Sequence, residues 1–219
     1  MNDKVFVSTV NFKKKLNEEL AKNSDPSWNI HDNLKGLDLK TLKNIQKSQS
    51  KNLEAILLNI EGDLNVGVMI RTSSLLGFSK IHILGRPRYD RRSTVGSHVY
   101  IDIETSYLMK KDQSDIDYEL VYEYIKERNL FPIICEQGGI ELSPQTRDFL
   151  RNKILQKMLE DKTPCIIVGN ESSGIPLEFL NKFKNNEGIV VSIPQLGVIR
   201  SFNVSSAFSI VAWEICNIL

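Results

Sequence analysis

From residue 53 onward, short continuous apolar runs alternate with segments whose apolar residues recur at helical spacing. The runs predict strands at Leu53–Ile60, Lys80–Leu84, Phe131–Cys135, Cys165–Val168 and Ile189–Ile193, with a further short strand at Val99–Ile103. The periodic segments predict helices at Val66–Leu76, Asp115–Arg128, Gln145–Leu159 and Leu177–Phe183. A closing helix carries Val204, Ala207, Phe208, Val211, Ile215 and Ile218. Gly77 ends the first of these helices, and Pro194 ends the last strand because it has no N–H to give to a ladder. Buried strands separated by helices predict an α/β fold: a mostly parallel sheet with helices on both faces. In such sheets, ligands bind at the carboxyl ends of the strands.

Residues 1–50 depart from this pattern and read as an amino-terminal arm, partly helical, ahead of a domain at 51–219. The arm has a lysine run at 13–15 and a polar region at Asp25–Pro26. A helix is expected from Asp38 to Ser48, with Leu39, Leu42 and Ile45 on one side. A solvated face, a dimer contact and an RNA arm all remain open for it. The net charge of +1 is not that of a strongly basic nucleic-acid binder. Its distribution is uneven: residues 1–50 hold nine Lys against six acids, and RPRYDRR at 86–92 packs four Arg against one Asp. Arg86, Arg88, Arg91 and Arg92 are therefore candidates for RNA phosphates, with a solvated loop as the alternative.

At 219 residues and 41% hydrophobic, the chain can form a proper core. Three widely spaced cysteines, no leader-like apolar run and no membrane-length apolar stretch suggest a soluble protein of the cytoplasm. No phosphate-loop or dinucleotide fingerprint occurs, and no hydrolase nucleophile elbow. His31, His82 and His98 lack the spacing of metal ligands, so no metal is expected.

Three loops that follow predicted strands carry unusual residues. In NIEGDLNVGVMIRTSSLLG, Asn65 falls where it can cap the helix, and Gly67 lets something approach the backbone. Arg71 sits on an otherwise apolar helix, where it either makes a salt bridge or faces an anion. In GNESSGIP, Gly169 and Gly174 flank Glu171; a ligand loop and a cap for the helix near Pro176 are both open. In the closing stretch, Ser201, Phe202 and Asn203 join a strand to a helix, making either an ordinary cap or a small-ligand pocket.

Taken together, N-x-G-x-x-x-R at Asn65–Arg71, G-x-E-x-x-G-x-P at Gly169–Pro176 and I-P-x-x-G-x-x-x-S-x-N-V-S at Ile193–Ser205 resemble the SpoU–TrmH branch of the SPOUT methyltransferases. The resemblance runs from about residue 53 to 219, with Phe202 standing where that family usually has Leu. It implies methyl transfer from S-adenosylmethionine to a ribose 2′-hydroxyl of RNA by a homodimer. It also implies a carboxyl-terminal trefoil knot, an exception to the usual absence of knots. The cofactor would lie among the Gly138 region, the Gly169–Gly174 loop and the Ile193–Phe202 segment, which includes Leu196 and Gly197. Arg71 would clamp the phosphate beside the target ribose, Asn203 and Asn65 would orient Arg71 and the ribose, and Ser201 and Glu171 would shape the loop around the methyl. The segment GVIRSFNV is especially like tRNA-directed members, which points to the D-loop guanosine, with rRNA, or a catalytically inactive RNA- or cofactor-binding module, as the alternative. A final helix apolar on more than one side, with Trp213 and Ile218 beyond the Val204–Phe208–Val211–Ile215 stripe, agrees with a dimer.

Overall fold

Period-two alternation along the strands sends side chains to two separate cores, one on each face of a sheet. In the computed structural model, which describes residues 29–86, 88–183 and 186–219, the sheet has six strands. They are β1 (Glu54–Leu58), β2 (Lys80–Leu84), β3 (Asp102–Ser106), β4 (Leu130–Glu141), β5 (Thr163–Val168) and β6 (Ile189–Ser192). Every pairing is parallel, in the order β3-β2-β1-β5-β4-β6. The lysine run and the Asp25–Pro26 region of the expected arm lie outside the described residues.

Ala55 and Leu57 of β1, Ile166 and Val168 of β5 and Phe131 and Ile133 of β4 enter the first core. Their neighbours Ile56, Leu58, Cys165, Ile167, Leu130 and Ile134 enter the second. Parallel strands covered on both faces need this, which is why β1 reads as an unbroken apolar run. The first core is closed by α2 (Asp63–Leu76), α4 (Pro144–Leu159) and α6 (Val204–Ile218), and the second by α3 (Tyr118–Glu127) and α5 (Leu177–Asn181). Before them, α1 (Leu39–Ser48) is capped by Asp38 and held at the end of α2, where Gln46 Nε2 donates to Ser74 O at 2.9 Å.

Three expected elements are shifted. The strand expected at Val99–Ile103 is instead β3, preceded by a 3-10 turn at Ser97–Val99. As an edge strand, β3 carries exposed polar residues that blunt it against further pairing, and these obscure its apolar pattern. Helix α2 starts at Asp63 rather than Val66, so Asn65 lies inside the first turn and does not cap it. The stretch with Gly138 and Gly139, which follows the expected end of the strand at Cys135, is a bulge inside a longer β4, where Cys135 and Ile140 both face Val191. At Gly139 a Cβ would lie 2.6 Å from the Val190 backbone, so only glycine fits this crossing.

The stripe Phe208–Val211–Ile215 and Ile218 of α6 is fully enclosed by the first core. It is therefore consumed within the chain, and Ile210 and the 60% exposed Trp213 are the large apolar side chains that α6 leaves outside. His82 of β2 is buried, with Nε2 2.7 Å from Glu54 Oε2 and Nδ1 2.8 Å from the Tyr124 hydroxyl.

β1 and β5 are neighbours, yet the chain leaves β1 toward α2 on one face and β5 toward α5 on the other. Adjacent strands whose connections diverge open a crevice at their carboxyl ends.

Candidate active site

At that end of the sheet, β4, β5, β6 and the start of α6 enclose a cavity of about 510 Å³. Gly169, Glu171, Gly174, Ile193, Ser201, Phe202 and Asn203 all line it. Glycine is required at two places on its wall. A Cβ at Gly169 would meet Ile175 Cγ1 at 2.5 Å, and Gly174 has φ of +64° with Glu136 Oε2 2.8 Å from where a Cβ would stand.

Three of the expected residues form one hydrogen-bonded chain. Asn65 Nδ2 donates to Glu171 Oε1 at 2.9 Å, and Asn203 Nδ2 donates to Asn65 Oδ1 at 3.1 Å. The carboxylate only accepts, so Asn65 must turn its NH₂ toward it and its oxygen toward Asn203. Asn203 then donates with its NH₂ while its Oδ1 caps α6, accepting from Ser205 N at 2.9 Å and Ser206 N at 3.4 Å. The cap and the link are thus two halves of one amide.

Glu171 has a second task. Helix α2 begins after Gly62, which has no side chain to cap it. Glu171 supplies the cap from another loop, accepting from Glu61 N at 2.9 Å and Gly62 N at 3.0 Å. Burial pushes its carboxyl up, but the Glu61 and Gly62 N–H groups and the Asn65 amide outweigh this and hold it below the ordinary carboxylate range. It does not cap the helix after Pro176.

Other expected residues lie elsewhere. Gly138 stands on the β4 bulge with nothing within 4 Å of a Cβ, and it does not line the cavity; Glu136 and Gln137, just before it, do. Leu196 and Gly197 sit on the outer part of the β6–α6 segment and do not line it either, Leu196 being fully exposed. Arg71 is exposed on α2 and borders a separate recess with Gln46, Gln49 and Tyr100. Gly67 accommodates Ser93, whose Oγ would lie 1.6 Å from a Cβ there, so the approach it permits is internal packing.

Arg86 and Arg88 flank a second groove of about 580 Å³ beside the start of α2, and Asn65 lines it too. Arg92 instead holds Asp90, with Nη2 2.7 Å from Oδ2. Arg91 follows Asp90 in a 3-10 turn.

Asn170 was not singled out by its sequence. Its Oδ1 accepts from Ser172 N at 2.9 Å and Ser173 N at 3.1 Å, and its Nδ2 donates to Asn59 O at 2.9 Å. It shapes the Gly169–Gly174 loop and ties it to the end of β1. An Asn one glycine beyond a buried strand, two residues before Ser-Ser, is an Asx-turn pattern that could have marked it. Among the described residues, no cluster of His, Cys, Asp and Glu could hold a metal, and no helix is long and apolar enough to cross a membrane.

A model of the SpoU rRNA methylase family matches residues 52–213. A curated relative, the tRNA (guanosine(18)-2′-O)-methyltransferase TARBP1 of Mus musculus, is 32% identical over 76 residues, 35% of this chain. The chain spans only 4% of that relative's length. The A. aeolicus TrmH/SpoU tRNA modifying enzyme has a similar fold, with a TM-score of 0.59 at 19% identity over 82% of this chain and 81% of that one. The AdoMet-bound rRNA methyltransferase of Sinorhizobium meliloti has a TM-score of 0.57 at 22% identity, covering 81% of this chain and 60% of that one.

Proposed function

The chain belongs to the SpoU rRNA methylase family, and we propose that it is an S-adenosylmethionine-dependent RNA 2′-O-ribose methyltransferase acting on the D-loop guanosine of tRNA. The observation that carries this is the Glu171–Asn65–Asn203 chain beside the glycine-walled cavity at the strand ends. The mouse relative, a tRNA (guanosine(18)-2′-O)-methyltransferase, supports tRNA and a guanosine.

The cavity fits the cofactor by three features. Its volume of about 510 Å³ is that of small-molecule sites, glycines bring backbone groups to the wall, and carboxylates suit a cationic ligand. Once bound, S-adenosylmethionine supplies a methyl group already activated by its sulfonium. A ribose hydroxyl is a poor nucleophile, so this chain's residues must orient it and provide for the loss of its proton. Asn203 and Asn65, set by Glu171, orient the ribose, and Ser201 shapes the rim. Gly169, Gly174, Ile193 and Phe202 form the cofactor wall, with Gly138, Leu196 and Gly197 at its margins. Arg71 clamps a phosphate; a guanidinium gives up its proton too reluctantly to serve as the main base. Arg86 and Arg88 contact RNA phosphates beside Asn65, and Arg91 and Arg92 extend this basic segment.

The carboxyl-terminal segment is read as threaded into a trefoil knot, supported by family membership and by the return of residues 193–203 past the β4 and β5 loops to α6. A homodimer is supported by apolar side chains left exposed on two packed helices: Ile210 and Trp213 of α6, and Leu64, Val68 and Leu75 of α2. Three free cysteines suit the cytoplasm.

The test is transfer of labelled methyl from S-adenosylmethionine into RNA, followed by mapping of 2′-O-methyl positions in tRNA and rRNA. A modified D-loop guanosine is expected. Label confined to rRNA would replace the substrate, and absence of label in any RNA would reject the activity.

A further inference from the structure

We propose that Glu136 is a cofactor-recognising residue of the cavity, accepting a hydrogen bond from a donor that S-adenosylmethionine itself carries, its ribose diol or its ammonium group. This rests on the cofactor assignment above and adds a residue that none of the sequence motifs contains.

Among the described residues, three charged side chains line the cavity: Glu136, Glu171 and Arg200. Glu171 is already committed to three donors, Glu61 N, Gly62 N and Asn65 Nδ2. Among the described residues, Glu136 accepts only from Ile175 N, at 3.0 Å to Oε2, and from the adjacent Gln137 N, at 2.8 Å to Oε1. An ionised carboxylate offers about four acceptor sites, so roughly half of its capacity remains on the cavity wall. Its placement is built. It stands at the carboxyl end of the buried part of β4, Ile175 N–H holds one oxygen, and Gly174 clears the space beside that oxygen. The next residue, Gln137, donates Nε2 to Arg200 O at 2.9 Å, tying the β6–α6 segment to β4. The Glu136–Gln137 pair thus touches both loops that bound the cavity.

The chemistry selects the partner. RNA presents phosphates, which a carboxylate repels, so Glu136 belongs to the part of the cavity that takes the cofactor. The cofactor brings two kinds of strong donor, paired hydroxyls and an ammonium, and either gains from a charged acceptor.

Calorimetry on the full chain tests this with S-adenosylmethionine, S-adenosylhomocysteine and methylthioadenosine, the last keeping the ribose but lacking the amino acid. Glu136→Gln keeps an acceptor for Ile175 N–H but loses the charge. It is expected to weaken the first two ligands about tenfold or more while its melting temperature stays within a few degrees. Equal weakening of methylthioadenosine identifies the ribose diol as the donor, and an unchanged affinity for it identifies the ammonium. Wild-type affinity of the variant for all three overturns the proposal. Should that variant melt early, Glu136→Asp, which withdraws the charge by one methylene, is measured the same way, and wild-type affinity there is equally fatal. If the wild-type chain binds none of the ligands, the cofactor assignment itself fails, an outcome distinct from a normal variant.

Discussion

The side-chain amide of Asn203 donates to Asn65 Oδ1 at 3.1 Å, joining the start of α6 to the first turn of α2 across 138 positions of sequence. Because Asn65 is in turn oriented by Glu171, the amide that caps α6 is read by a carboxylate two side chains away.

Asn203→Asp separates the two halves of that amide. Aspartate caps as well as asparagine, so stability should change by ~1 kcal/mol or less. It cannot donate, and its second oxygen would face Asn65 Oδ1; turning Asn65 over would then set an oxygen against Glu171. Most methyl transfer should be lost with the melting curve nearly unchanged. Near-normal activity would leave Asn203 a cap and nothing more.

Glu171→Gln removes the charge that caps α2 from outside. A loss of about 1 kcal/mol, or roughly 2–4 °C in melting temperature, is expected at neutral pH. The carboxyl is held below its ordinary range in the fold, so its contribution is present above the unfolded pKa and disappears as pH falls through the lowered folded value. Wild type and variant should therefore converge in acid. A constant gap across the pH range would show that the carboxylate charge is not what stabilises the loop.

Arg71→Ala should leave stability within about 0.5 kcal/mol, since the side chain is exposed. Transfer should fall at least a hundredfold, while binding of S-adenosylhomocysteine stays largely intact because Arg71 does not line the cavity. Substantial turnover by the purified variant rejects its role.

Arg86→Gln with Arg88→Gln should weaken RNA binding and flatten the plot of log affinity against log salt by roughly 0.7–0.9 for each phosphate contact removed. Arg92→Gln should do less, because Asp90 already holds that guanidinium. An unchanged slope in the double variant returns the loop to a solvated face.

Trp213→Glu should leave the fold intact, as the indole is 60% exposed, and should shift the mass measured by light scattering at micromolar concentration from dimer to monomer. A wild-type chain that is already monomeric removes the dimer.

The elements that mattered most for placing the site were visible in one dimension. β1 and β5 reveal themselves as apolar runs because parallel strands are buried on both faces. The edge strand β3 and the bulge at Gly138–Gly139 are hidden in the sequence because a polar edge and a glycine pair imitate loops. The closing helix was visible, but the destination of its apolar stripe was not: Phe208, Val211 and Ile215 fill this chain's own core.

By itself the sequence determined the α/β alternation, the strand-end position of three unusual loops and the motif residues within them. Those are local properties, carried by spacing and by residue chemistry. Only the tertiary structure decided that Glu171 caps α2 rather than the helix beside it, that Asn65 is a link and not a cap, and that Glu136 faces the cavity where Gly138 does not. Each depends on partners brought together by the pairing of β1, β5 and β4, with Asn65 and Glu171 separated by 106 positions. Hydrogen bonds form only within about 3 Å, and no periodicity along the chain encodes so short a distance between residues so far apart.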